Sequence, residues 1–375
     1  MGYGDMHEPL CTQGATTSVT KKRIRPVTQE DMAERLGVSV GTVSAVLSGK
    51  ARQRRIGKAT ERRIRKLAEE LDYVPNQLAQ GLRKSATRNI GVIFVNFELG
   101  WSQRILNGML RVLDEADYTP SLMYHAMEPH REARIIESMF RERVDGILVI
   151  PFEEGVPNYR KVLDRGVPLA FFADVIESMP DVNYVTWESG EAAREAVEQL
   201  IAVGRKRIAY LGLPDLAGER SFETQMDRLR YEGYCAAVRA HDLPAPEDFI
   251  VWLARNPDGQ VEQLRALLSD PARRPDAFLV QNDSCAIKIL EILSVLGVKV
   301  PEEVAVAGMG DLHAAGLHGV GLSTMREPCE EIGAEAASII LRMTEEPGYR
   351  AQRRIVANEF RARTTTGHTD WVPDL

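Results

Sequence analysis

From Asn89 onward the chain alternates short apolar runs with amphipathic stretches of helical period, and this alternation is its most constraining feature. The strand candidates are IGVIFV (90–95), GILVI (146–150), PLAFF (168–172), RIAYLG (207–212), AFLV (277–280) and VAVAGM (304–309). Between them lie amphipathic segments such as RILNGMLRVLDEA (104–116) and GEAAREAVEQLIAVG (190–204). Strands that alternate with helices imply parallel sheets. Val27 to Tyr73 has a different texture, helical with short polar breaks. The expected fold is therefore an all-α head followed by an α/β body. A length of 375 residues suits two or three globular units. No fixed repeat and no low-complexity tract interrupts the pattern.

Charge divides the chain at the same place. Lys21 to Arg88 carries 17 Lys and Arg against 7 Asp and Glu, a balance of +10, so the rest of the chain carries −17. A small basic head on an acidic body suits a nucleic-acid binder with a separate regulatory domain. With 44% hydrophobic and 27% charged residues the composition is that of a folded globular protein. No apolar stretch is long enough to span a membrane. The first 25 residues are polar, without a signal-peptide core, which leads to the expectation of a cytoplasmic protein. Cys11, Cys235, Cys285 and Cys329 form no CxxC pair, so neither a disulfide framework nor a metal site is expected.

The head contains 28-TQEDMAERLGVSVGTVSAVLSG-49, the strongest local signal. Thr28 and Asp31 make a capping box that opens a first helix. Met32, Ala33 and Leu36 line its inner face, Gly37 permits a tight turn, and Val38 tucks between helices. Ser39 caps a second helix whose inner face is Val43, Val46 and Leu47. Ala33, Gly37 and Val43 hold relative positions 5, 9 and 15 of a helix-turn-helix. The second helix would enter the DNA major groove and offer Val40, Gly41, Thr42, Ser44 and Ala45 to bases and phosphates, with Thr28 and Ser39 at the helix starts.

These residues resemble the lac-repressor (LacI/GalR) family of bacterial regulators. The resemblance extends over residues 26–367 through 67-LAEELDYVPNQLAQGLR-83, 143-RVDGILVIP-151, 204-GRKRIAYLG-212, 281-QND-283, 301-PEEVAVAG-308 and 323-STMREPCEEIG-333. It implies a homodimer whose heads read pseudo-palindromic double-stranded operator DNA, and a body with the two-lobed fold of periplasmic sugar-binding proteins. The implied layout is a mobile tail over 1–25, a head over 26–74, a hinge helix and linker over 75–88, a body over 89–368 and a tail over 369–375. Lobe crossings are expected near residues 186, 323 and 350. In the hinge, Leu82 falls at the family's minor-groove leucine, Ala79 one turn before it, and Asn76 and Gln77 at the helix start. Gly81 makes the segment a weak isolated helix, by about 1 kcal/mol relative to Ala, and an apolar wedge at a base step bends the duplex.

Some positions depart from the family pattern. Many members have arginine where this chain has Ala45, and polar residues at Val40 and Gly41. Base reading should therefore rest on thymine methyl contacts and DNA shape. The loop 50-KARQRRIGK-58 is longer than usual, and Arg52, Arg54 and Arg55 are candidate phosphate contacts.

Family effector contacts map onto Trp101, Ser102, Arg230, Asn282 and the 309-MGD-311 loop with Asp311, and close to Asp174 and Trp252. Arginine and asparagine suit a polar, oxygen-rich, sugar-like small molecule, and Trp101 could stack on an apolar ring face. Gly310 stands where the first of an acidic pair is common, and Glu327 where glutamine is common. Both put a standard monosaccharide pose in doubt. The alternative is a regulator governed by a protein corepressor, with a degenerate cleft.

No GxSxG, HExxH, Walker A or GxGxxG motif sits in the context catalysis requires, and His125 and His130 fall in a stretch read as irregular loop. Neither an enzyme nor a cofactor is expected. A transport-type binding protein would lack the basic head. The missing leucine-heptad tail after Gly367 favours a dimer over a tetramer.

Overall fold

The computed structural model describes residues 27–73, 86–97, 100–214, 224–244, 247, 249–254, 256–271, 273–346, 348–349 and 353–371. The chain divides into two compact units between Lys84 and Ser85.

The first unit holds α1 (Gln29–Leu36), α2 (Val40–Leu47) and α3 (Lys58–Glu70). The capping box forms as the sequence predicts. Asp31 N–H donates to Thr28 Oγ1 at 3.2 Å, and Thr28 N–H donates to Asp31 Oδ2 at 2.7 Å. Gly37 ends α1 at φ 67°, a left-handed conformation that carries no Cβ penalty in glycine. Ser39 Oγ then accepts Thr42 N–H at 3.1 Å and opens α2. Met32, Ala33, Val43, Val46, Ala51 and Ile64 form the small core.

The second unit has two six-stranded sheets. The strands of the first are β1 (Asn89–Phe94), β2 (Thr119–Tyr124), β3 (Gly146–Val149), β4 (Leu169–Ala173), β5 (Asn183–Trp187) and β11 (Arg353–Val356), in the order β11-β5-β4-β3-β1-β2, all parallel. The second has β6 (Ile208–Gly212), β7 (Ile250–Trp252), β8 (Ala277–Val280), β9 (Ala305–Gly310), β10 (Ser323–Arg326) and β12 (Glu359–Arg361), in the order β12-β10-β9-β8-β6-β7. Only the β10–β12 pair runs antiparallel among the described strands.

Helices cover both faces of each sheet, so alternate side chains of one strand enter different cores. On one side of the first sheet, Val92, Phe94 and Leu148 pack with α4 (Gly100–Glu115) and α11 (Cys329–Glu345). On the other, Ile93, Ile147 and Val149 pack with α5 (Pro129–Glu142) and α6 (Val156–Asp164). The second sheet is enclosed likewise by α7 (Ser189–Ala202) and α8 (Gln225–Ala240) on one face, and by α9 (Pro257–Ser269) and α10 (Asp283–Val295) on the other. Burial on both faces explains why the central strands read as unbroken apolar runs. His130 lies in the first turn of α5, not in a loop, because Pro129 starts a helix where the sequence seemed irregular.

The chain passes between lobes after Trp187, after Arg326 and after Val356, which lie one, three and six residues beyond the expected positions 186, 323 and 350. The offsets arise because β5, β10 and β11 keep their pairing to the ends of the strands. Two crossings touch, with Asn358 Nδ2 donating to Glu188 O at 3.2 Å.

Candidate functional site

In the head, α2 exposes its first turn. Val40 is 42% exposed, Gly41 is exposed, and Thr42 and Ser44 are half-buried. Ala45 corrects the expectation, since it is buried within the head at 8% exposure. The cause is the loop that follows α2. Lys50 N–H donates to Ala45 O at 2.8 Å and Ala51 is buried, so the chain folds back over the position. Arg52, Arg54 and Arg55 are exposed on this loop, whose turns are closed by Arg54 N–H to Lys50 O and Ile56 N–H to Ala51 O. Thr28 and Ser39 spend their hydroxyls on the caps: Thr28 bonds Asp31 at 2.8 Å and Ser39 bonds Thr42 at 2.9 Å. Asn76, Gln77, Ala79 and Leu82 lie outside the described residues.

In the body, a cleft of about 1130 Å³ opens between the two sheets. Its walls are the carboxyl ends of the parallel strands: Val95 after β1, Ile150 to Glu154 after β3, Asp174 after β4, Leu213 after β6, Gln281 after β8, and Met309 with Gly310 ending β9. This is where open α/β sheets place ligands, because the loops there diverge and leave a crevice.

Trp101, Asp174, Arg230 and Asn282 of the expected contacts line this cleft together. Asn282 caps α10, its Oδ1 accepting Cys285 N–H at 2.9 Å. Arg230 is buried. Its Nη1 donates to Gln281 O at 2.9 Å, its Nη2 pairs with Glu327, and Asp227 Oδ1 lies 3.7 Å from Nη1. Asp174 is 9% exposed and accepts Val175 N–H at 2.8 Å through Oδ1. Burial pushes its carboxyl up to about 7, with Asp227 adding to the rise and Arg230 opposing it. Asp283 is likewise raised to about 7 by burial, although Thr324 Oγ1 and Leu312 N–H donate to it at 2.6 and 2.8 Å.

Three expected contacts lie elsewhere. Ser102 is buried and its hydroxyl donates to Asn96 O at 3.3 Å, because successive residues of α4 are turned about 100° apart around the helix. Trp252 ends edge strand β7 beside Gly212, away from the cleft lining. Asp311, at φ 54°, turns its carboxylate to Arg363, with Nη2 to Oδ1 at 2.6 Å. Gly310 before it adopts φ 130°, and only its backbone faces the cleft. Asp227, Glu327 and Trp187 also line the cleft, and sequence reasoning missed them as contacts. The acid-for-glutamine departure at Glu327 was the available signal. Arg104 was also missed. It donates from α4 to Gly310 O and Asp311 O at 3.0 Å and pairs with Glu330 at 3.1 Å, so it ties the lobes together.

A helix-turn-helix head and a periplasmic-binding-protein-like body on one chain define a DNA-binding transcription regulator. Residues 28–76 match the family described as "Bacterial regulatory proteins, lacI family", and residues 197–366 match "Periplasmic binding protein-like domain". The ribose operon repressor of Escherichia coli (strain K12) is 28% identical over 328 residues, which cover 87% of this chain and 96% of that repressor. The HTH-type transcriptional repressor PurR of Haemophilus influenzae (strain ATCC 51907 / DSM 11121 / KW20 / Rd) is 26% identical over 317 residues, covering 84% of this chain and 90% of the other. A crystal structure of the Lac repressor dimer bound to operator and the anti-inducer ONPF shares the fold, with a TM-score of 0.76 at 21% identity. That match covers 91% of this chain and 99% of the other. The chain therefore joins a lacI-family DNA-binding domain to a periplasmic-binding-protein-like domain and is homologous to the ribose operon and PurR repressors.

Proposed function

We propose that the protein is a cytoplasmic transcriptional repressor that binds a pseudo-palindromic operator as a homodimer and changes its DNA affinity when a small polar, sugar-like effector occupies the cleft. The observation that carries this reading is the cleft itself. It is large enough for such a ligand, it lies at the strand ends, and it belongs to the same chain as a helix-turn-helix head. The named relatives, a ribose operon repressor and a PurR repressor, support repression.

In this reading Val40, Gly41, Thr42 and Ser44 meet base edges, and Arg52, Arg54 and Arg55 hold phosphates. The expected hinge residues Asn76, Gln77, Ala79 and Leu82 add minor-groove contact. Trp101, Asp174, Arg230 and Asn282 hold the effector. The role is binding and switching, not catalysis.

The test begins by selecting bound sequences from a random DNA pool and then titrating the selected operator, by fluorescence anisotropy, with and without sugars and related polyols. A change in operator affinity with one of them is the expected result. Operator binding that no small molecule alters, but a protein partner does, would favour corepressor control instead.

A further inference from the structure

We infer that the cleft takes a cationic polyol: a sugar-sized, hydroxylated molecule carrying an ammonium group that sits against Asp174 with Asp227 behind it. The inference rests on the reading of the cleft as an effector site and names the ligand class.

Arg230 is the cation that would otherwise receive an anionic ligand, and both its Nη nitrogens are already committed, which leaves the buried Nε as a single donor that an uncharged hydroxyl can satisfy. Nη1 donates to Gln281 O, and Nη2 holds Glu327 and approaches Met226 Sδ at 3.0 Å. Arg228, the other lining guanidinium, is paired on the surface with Glu232 at 2.9 Å. Among the described lining residues no guanidinium is therefore left with two free terminal nitrogens for a carboxylate or phosphate.

The carboxylates are in surplus. Asp174 is nine-tenths buried, and only its Oδ1 has a hydrogen bond, to Val175 N–H. Its Oδ2 has no partner among the described residues and belongs to a side chain that lines the cleft. Asp227 accepts the Thr224 hydroxyl at 2.8 Å, but its nearest counter-charge is Arg230 at 3.7 Å, a guanidinium on which Glu327 has the closer claim. Glu153, Glu154 and Glu177 add negative charge along the rim. A buried carboxylate without a counter-ion is costly, and a neutral hydroxyl compensates it poorly. An ammonium supplies both the opposite charge and N–H donors.

A second observation asks for oxygen on the same molecule. Trp187 lines the cleft and keeps its indole Nε1 buried without a hydrogen-bond partner. The indole N–H is a donor only, so its complement is a hydroxyl or ring oxygen. Trp101 stands in the same lining and offers an aromatic face. Ammonium, hydroxyl and a stackable ring face together describe an amino sugar or a short oligomer of one.

The experiment is calorimetric titration of the full-length protein with D-glucosamine, D-galactosamine and the chitosan disaccharide. Each is compared with its N-acetylated form, which removes the charge, and with D-glucuronate, which reverses it. At least one amine is expected to bind about tenfold or more tightly than its acetylated form. D174N should close that gap, and D227N provides a second variant should D174N fail to fold. Neutral or acidic sugars that bind as tightly as the amines, or the absence of binding by any amine, would overturn the inference. Operator anisotropy with the same probes separates the two readings. An amine that binds without altering operator affinity leaves the ligand class standing and removes the effector role. A neutral sugar that alters operator affinity does the reverse.

Discussion

The Arg230–Glu327 pair shows how one residue decides what a cleft can hold. Both side chains are almost fully buried, so their attraction is set against the cost of taking two charges out of water. Glu327→Gln should leave the guanidinium with the distant Asp227 as its nearest counter-charge, and thermal unfolding should report a loss of about 3 kcal/mol. Replacing both partners, Glu327→Leu with Arg230→Met, should recover most of that stability. A single variant that melts like the parent would show that the pair contributes nothing. Asp174 makes a prediction of opposite sign. Its folded value near 7 lies above the ordinary 3.8, so the folded state binds the proton more tightly. That contribution is fully present below about pH 4 and is lost as pH rises through 7. Asp174→Asn should therefore gain melting temperature relative to the parent as pH is raised from about 4.5 to about 8. A constant difference across that range would remove the shift. The residue scale is also where the sequence was least legible. Asp174 and Arg230 are placed by the family resemblance, but the direction of a side chain depends on its neighbours. Asp311 was read as a ligand contact and binds Arg363, which is 52 positions away in the chain. Ala45 was read as a surface residue, yet a loop covers it.

At the scale of elements, legibility followed burial. The six apolar runs became β1, β3, β4, β6, β8 and β9, six of the eight inner strands of the two sheets. The strands that the sequence concealed are the edges β2, β7, β11 and β12 and their neighbours β5 and β10. β2 mixes exposed and half-buried residues with none buried, and β11 is largely exposed, so neither has the continuous apolar signature. Caps were legible because their chemistry is local: Thr28 and Asp31 are three residues apart, and so are Ser39 and Thr42. The loop after α2 was legible in charge but not in path. Arg52, Arg54 and Arg55 are exposed and, apart from their backbone turns, support no core. Replacing all three with alanine should leave the melting temperature almost unchanged. If each neutralises one phosphate, the slope of log affinity against log salt should fall by up to about three, with the loss similar on operator and random duplex. An unchanged slope would make the three arginines merely solvated charge.

For the whole molecule, the composition split at the head proved to be a physical division, since the two units separate between Lys84 and Ser85. Within the body, the crossings at Glu188, Glu327 and residues 357–358 let one lobe move against the other with few backbone dihedrals changed. Arg104 is the main polar obstacle to such movement. Its carboxylate partner Glu330 begins α11, which packs against α4 in the same lobe, so that bond survives any rotation. The bonds to Gly310 O and Asp311 O reach the other lobe and have to break if the cleft opens. A hydrogen bond from a charged group contributes about 1.5–3 kcal/mol, and the Arg104 side chain is only 20% exposed, so solvent replaces these bonds poorly. Arg104→Met keeps the aliphatic stem and removes the donors. It should increase the open population by about tenfold or more, since each 1.4 kcal/mol is a factor of ten. Amide exchange offers a direct readout, because Leu312 N–H is held by Asp283 and Asp311 N–H faces Thr324 Oγ1 at 3.4 Å, in the strand-end loop that Arg104 grips. Exchange at Asp311 and Leu312 should accelerate in the variant, while amides inside β8 and β9 keep the parent rate. Equal protection at all of these positions would mean that the lobes are held by apolar packing and that Arg104 is not their clasp.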